Sequence, residues 1–159
     1  MFFVHEKKGA TGSCDVTLID YQWSGIAMGV TDIVYLLATS ASDEFIKDLD
    51  LEEGLLRPYY TAFTSAFESV HKDIDAKAAV LQYSFEELMN DFQLAVLDYV
   101  RWAVSCRLGG ETPAKYAGRR QVVDPNLGSY RRSENMLRFL LKLVEKYLPS
   151  VEERKGTEH

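Results

Sequence analysis

The chain has 159 residues, 47% of them hydrophobic and 26% charged, with a formal net charge of −6. That acidity excludes a surface built to follow a nucleic-acid backbone, which needs a basic face. The apolar fraction suits one water-soluble domain with a core of its own. No run approaches the ~18 uninterrupted apolar residues of a membrane helix.

In chain order, Phe2–Val4 is a short apolar and aromatic run that reads as a strand, and His5–Ser13 carries Gly9 and Gly12 as a polar connection. Cys14–Tyr21 alternates with period two, Cys14, Val16 and Leu18 on one face and Asp15 and Thr17 on the other. That apolar face ends on Asp20. A carboxylate there needs a hydrogen bond, a cation or a metal to offset its desolvation. After a turn over Ser24–Val30 the pattern becomes helical. Asp32 is placed to cap a helix through Ile33, Leu36 and Leu37, and a second helix is expected over Asp43–Leu49. A third, Leu51–Val70, has Leu51, Leu55, Tyr59, Ala62, Phe63, Ala66, Phe67 and Val70 on one stripe, with Pro58 set to kink or split it.

The helix with the most local signals runs from Phe85 to about Arg107. Ser84 and Glu87 have the capping-box spacing, and Phe85, Leu88, Phe92, Ala95, Tyr99, Ala103 and Cys106 recur at three and four. Gly109-Gly110 supplies its stop. Leu108–Arg132, bearing Gly, Pro and Asn, reads mainly as loop. The last helix is expected over Glu134–Tyr147, with Leu137, Leu140, Leu141, Val144 and Leu148 inward and Pro149 ending it. From Glu152 the tail is charged and frayed.

Most chemical constellations fail on spacing. His5, His71 and His159 make no metal motif, and no nucleophile elbow, Walker loop or dinucleotide fingerprint is present. Cys14 and Cys106 lack paired spacing and fit a reduced, cytoplasmic chain. The basic residues Lys115, Arg119, Arg120, Arg131 and Arg132 read as a solvated loop and helix start. The aromatic stripe Phe63, Phe67, Phe85 and Phe92 reads as core, and so do Trp23 and Trp102. Asp20 and Asp32, twelve apart, are compatible with plain structural roles, one capping a turn and the other a helix.

The run LIDYQWSGIAMGVTDIVYLL at 18–37 resembles the aminoglycoside phosphotransferase/choline kinase group. There a strand ends in Ile-Asp-aromatic, a glycine-bearing turn follows, and a second aspartate opens a helix. Gln22, after the aromatic residue, is similar to the ecdysteroid-kinase-like branch, and YSFEELMNDFQLAVLDYV resembles that branch's C-terminal helices. The resemblance implies that Asp20 holds Mg²⁺ on the phosphates of ATP, hard oxygen chemistry that suits this cation. It implies for Asp32 a hydrogen-bonding role in support of the site, with Gln22 beside it. In the family a His-Gly-Asp loop and a nucleotide-clamping lobe precede the strand that Phe2–Val4 resembles.

The expected fold is therefore α+β and mostly helical, a β-hairpin followed by five or six helices on which it packs. Residues 1–150 would form part of a protein-kinase-like C-terminal lobe, and 151–159 a charged tail. The implied activity is transfer of the ATP γ-phosphoryl group to a hydroxyl of a small-molecule alcohol, with no nucleic-acid or membrane partner. A missing N-terminal lobe would pack on this piece. No residue of the chain is assigned a catalytic role, and the chain alone is expected to be inactive. The competing class is a non-catalytic helical interaction module or pseudokinase remnant.

Overall fold

A computed structural model describes residues 2–6, 14–18, 28–70, 83–120 and 133–156. Two strands, β1 (Phe2–Glu6) and β2 (Cys14–Leu18), pair antiparallel with Val4 opposite Val16. Helices α1 (Val30–Ser40) and α2 (Asp43–Lys47) follow. A π-helical segment, Glu52–Leu56, leads into α3 (Arg57–Val70). Then come α4 (Phe85–Trp102), a second π-helical segment (Ala103–Arg107), α5 (Pro113–Arg120) and α6 (Glu134–Gly156).

The expected α+β class, with a hairpin packed on helices, is corrected. The described structure is a helical bundle: every residue of its apolar core lies on a helix, from Val30 and Ile33 on α1 to Leu143 and Tyr147 on α6. The physical reason is that two strands offer a single ladder and cannot enclose a core, whereas apolar stripes on several helices can.

Helix α4 is the centre of the bundle, packed on α1 along one side and on α6 along the other. Its Leu88, Phe92 and Val96 are fully buried, with Ala95 and Tyr99 nearly so, as the three-four spacing predicts. Its start is fixed by a capping box. The Ser84 hydroxyl accepts from the Glu87 amide at 3.1 Å while the Glu87 carboxylate accepts from the Ser84 amide. The helical run ends where the sequence places its glycines, Gly110 taking φ +78°.

Tyr35 of α1 closes on Tyr99 and Trp102 of α4, with ring centroids 4.7 and 5.9 Å away. At the far side, Ser133 and Asn135 ahead of and on α6 donate to the two carboxylate oxygens of Asp43, tying α2 to α6. Ser133 also accepts from the Met136 amide at 3.0 Å, so one buried hydroxyl caps α6 and joins two helices.

Several boundaries differ from the sequence reading. Helix α6 faces inward with Met136, Leu140, Leu143 and Tyr147, while Leu141 is 56% exposed. Leu140 is buried and Leu137 and Val144 are half-buried on the expected side, but the stripe slants away from Leu141 and Leu148. Nor does Pro149 end α6, which continues through it to Gly156. Ser150, one residue on, bonds to Gln93 of α4 and to the Tyr147 carbonyl, holding the helix against the bundle beyond the proline.

Residues 113–120, read as loop, are helical. Thr112 accepts from the Lys115 amide at 3.3 Å, and Pro113 occupies the first turn, where its missing N–H costs nothing. The third expected helix changes pitch just before Pro58. The Leu56 amide reaches back five residues to the Leu51 carbonyl at 3.0 Å. That wide turn rotates the remainder of the helix, burying Leu56 and leaving Ala62, Ala66 and Val70 exposed.

Candidate functional site

A cavity of about 210 Å³ opens where the N-terminus of α1 meets α3 and α4. Met28, Gly29 and Val30 form one wall, Tyr59 and Phe63 of α3 a second, and Tyr83 and Asp91 a third. Each wall follows from local sequence. Gly29 precedes α1, and its lack of a side chain lets the Tyr59 hydroxyl approach closely: a Cβ there would lie 2.7 Å from that oxygen. Tyr59 and Phe63 are four apart on α3 and so project together, their rings stacked at 6.2 Å and 17°. Tyr83 meets Phe63 edge-on at 6.0 Å.

Tyr83 donates its phenol proton to Asp91 Oδ2 at 3.0 Å, and its own carbonyl accepts from the Tyr60 hydroxyl at 2.8 Å. The segment ahead of α4 is thereby pinned both to α3 and to α4. Burial, followed by the hydrogen bond and charge of Asp91, pushes the Tyr83 phenol well above its ordinary pKa. Burial, with Asp32 second, also raises that of Tyr59. Both phenols therefore stay protonated, and Tyr83 serves as a neutral donor to Asp91. The rim is open, with Met28 40% and Phe63 38% exposed.

Of the residues singled out in the sequence, Asp32 lies in the first turn of α1 and is exposed. It is not the cap. Gly29 holds that position without a side-chain bond, and Asp32, three residues in, sits where a negative charge favours the helix N-terminus. Asp20 and Gln22 lie outside the described residues, as do Gly25, Trp23, His71, Arg131 and Arg132. Lys115 is spent on α5, donating to the Gly110 carbonyl at 3.1 Å, and Cys106 is free and exposed. Among the described residues no group of three or more His, Cys, Asp or Glu could hold a metal ion. One exposed carboxylate, Asp32, is too few hard ligands for Mg²⁺. The described residues do not by themselves make a magnesium site.

The aromatic stripe read as core divides. Phe92 is fully buried, whereas Phe63 belongs to the cavity. Tyr59, Tyr83 and Asp91 carry no functional signal in the sequence. Asp91 shares its helical stripe with Glu87 and Asp98, so spacing does not single it out.

The class defined by these features is a helical-bundle protein with an aromatic pocket beside a glycine-bearing helix start. A sequence model of the ecdysteroid kinase-like family matches residues 1–72, the stretch that contains the motif at 18–37. The matched stretch spans the strand pair, α1, α2 and α3. No curated protein and no solved structure matches significantly. Among the described residues no helix is long and apolar enough to cross a membrane.

Proposed function

We propose that this chain supplies part of an ATP-dependent small-molecule phosphotransferase, one that moves the γ-phosphoryl group to a substrate hydroxyl. The observation that carries the reading is the kinase-like family match over residues 1–72, which contains the whole Asp20-to-Asp32 motif. Asp20 is the residue proposed to meet the nucleotide's cation, and Asp32, with Gln22, to support it. Phosphoryl transfer rests on positioning and charge neutralisation, which need several groups held at once. The sequence contains no His-Gly-Asp run to orient the acceptor hydroxyl. Turnover is therefore proposed to require that loop and a nucleotide-binding lobe from elsewhere.

The test is ATP turnover with Mg²⁺ and a panel of small alcohols. The chain by itself is expected to be inactive. Joined to a His-Gly-Asp loop and nucleotide lobe of the same family, it should turn over, and Asp20→Asn should remove most of that activity. Full activity in the Asp20→Asn protein, or brisk turnover by the chain alone, overturns the proposal. A second reading, a helical interaction module without turnover, draws on Leu141 and Leu148, which α6 leaves 56% and 43% exposed. Inactivity of the joined protein in every assay would favour it.

A further inference from the structure

We propose that α6 pairs antiparallel with the α6 of a second copy of this chain, along a seam of Leu137, Leu141, Val144 and Leu148. These four residues recur at intervals of four, three and four, the repeat that keeps one apolar line facing a neighbouring helix in a coiled coil. The line is a second stripe, beside the one through Met136, Leu140, Leu143 and Tyr147 that fills the bundle. Leu137 and Val144 are half-buried, while Leu141 and Leu148 stand 56% and 43% exposed. An apolar line left in water along a helix is surface that a partner can remove from solvent.

Charges beside the seam select the partner. Arg138 and Glu145 each follow a seam residue by one position, so both lie on the same rim, and both are exposed. The other rim carries Leu140 and Tyr147, which the bundle itself buries. A parallel mate would set Arg138 and Glu145 against that apolar rim, with no charge to meet. An antiparallel mate sets rim against rim. With Leu137 opposite the partner's Leu148 and Leu141 opposite the partner's Val144, Arg138 comes beside the partner's Glu145, and Glu145 beside the partner's Arg138. The pattern reads the same after reversal, as a twofold contact between identical chains requires. Arg138 also holds Glu134 of its own helix at 2.7 Å, but that pair is exposed and leaves the guanidinium with donors to spare.

The size of the seam sets its strength. From Leu137 to Leu148 it spans roughly 17 Å of helix, and only its two outer leucines are largely exposed. That is less surface than a permanent dimer buries, so the pair is a transient one, with a dissociation constant on the order of 100 µM. At a dilution of about 5 µM, usual for an unfolding curve, the chain is then a monomer, and Leu141→Ala removes little that is buried.

The pairing stands apart from the phosphotransfer reading, because it is measured without nucleotide. The test is sedimentation equilibrium of the full chain from about 10 to 500 µM, where the mean mass should rise toward that of two chains. Leu141→Lys should weaken association at least about tenfold by placing a charge in the seam. Leu148→Gln gives a second reading on the same stripe should the lysine protein melt early. Arg138→Glu and Glu145→Arg, each at an exposed position, set like charges against each other twice and should weaken association about fivefold. Combining the two exchanges the charges and should restore the original constant to within about twofold. A chain that stays monomeric at the highest concentration overturns the proposal and leaves the stripe to a different protein. So does a dimer that persists in both seam variants, or a double charge exchange that associates no better than its two parents. None of these results bears on ATP turnover, and loss of turnover does not bear on them.

Discussion

The bundle interior and the aromatic pocket both carry rings but differ in exposure and charge, although α1 belongs to both. Inside, Leu88, Phe92, Val96 and Met136 are 0% exposed, and aliphatic side chains together with the rings of Phe92, Tyr99 and Tyr147 fill the space between α1, α4 and α6. At the pocket, rings with polar tips dominate, Phe63 keeps 38% of its surface, and a carboxylate sits among them. The family match cuts across both regions. It covers α1, α2 and α3, with core residues such as Val30 and Leu37 and pocket residues Tyr59 and Phe63, but stops before Tyr83 and Asp91 of the pocket and before the buried faces of α4 and α6. Packing tolerates many apolar combinations of the right volume, so a core leaves a weak sequence signature. A strand-end aspartate, a glycine turn and an acid at a helix start admit fewer substitutes, and that segment remains recognisable.

The largest expected effect separates the two regions by stability. Phe92→Ala should cost about 3–5 kcal/mol, as for other buried aromatics, read as a shift of the urea midpoint. Phe63→Ala should cost about 1 kcal/mol or less, because much of that ring already faces water. Equal losses at the two positions would erase the distinction between interior and pocket.

The next test sharpens the phase of α6. Leu140→Ala should cost about 2–5 kcal/mol and its neighbour Leu141→Ala about 0.5 kcal/mol or less. The sequence reading places both inward. The spacing of 137, 140, 141, 144 and 148 is helical, but so is that of 136, 140, 143 and 147, and periodicity alone does not choose between adjacent stripes. Tyr147 fills the space beside Phe92, with centroids 6.4 Å apart and rings at 87°, which pulls the inward face toward 136–147.

Legibility elsewhere depends on how local the cause is. The Ser84–Glu87 capping box and the Gly109-Gly110 stop act within one turn, and both are plain in the sequence. The Thr112-Pro113 helix start is equally local but is masked by nearby glycine and proline, which suggest loop. The π-helical segment at 52–56, just before Pro58, shifts the phase of α3, so Ala62, Ala66 and Val70 go outward where periodicity turns them in, while Tyr59 and Tyr60 stay half-buried. The pocket joins residues 28–30, 59, 63, 83 and 91, a set no spacing rule gathers. Of the motif residues themselves, the structure describes Asp32 and not Asp20.

A smaller effect is expected at the boundary between the regions. Gly29→Ala brings a Cβ to 2.7 Å from the Tyr59 hydroxyl, and one or the other must move. Backbone strain is not the reason, since Gly29 has φ −57°. Overpacking of this kind costs about 1–3 kcal/mol. The sharper readout is the Tyr59 ring resonance, which should shift while those of Phe92 and Tyr99 stay put. An unshifted Tyr59 would show that the glycine serves some purpose other than close approach.

The smallest effect has an expected sign. Among the described residues the buried Tyr147 hydroxyl has no hydrogen-bond partner, and burial, with Glu52 second, raises its pKa. An unsatisfied buried polar group costs about 1–3 kcal/mol, so Tyr147→Phe, which keeps the ring against Phe92, should be neutral or stabilising near pH 7. Tyr60→Phe is the contrast. It removes a 2.8 Å bond to the Tyr83 carbonyl and should cost about 0.5–1.5 kcal/mol. Tyr147→Phe also departs from the unaltered chain with pH. A phenol whose folded pKa lies above its unfolded value of about 10 binds its proton more tightly when folded. Its contribution is fully present below about pH 10 and is lost as pH rises through the raised folded value. Melting from pH 8 to pH 11 should therefore fall less steeply in Tyr147→Phe than in the unaltered chain, because one phenol that resists ionisation has gone. A parallel fall in the two proteins would mean that the Tyr147 hydroxyl is solvated, and a loss above about 1 kcal/mol near pH 7 that it is bonded.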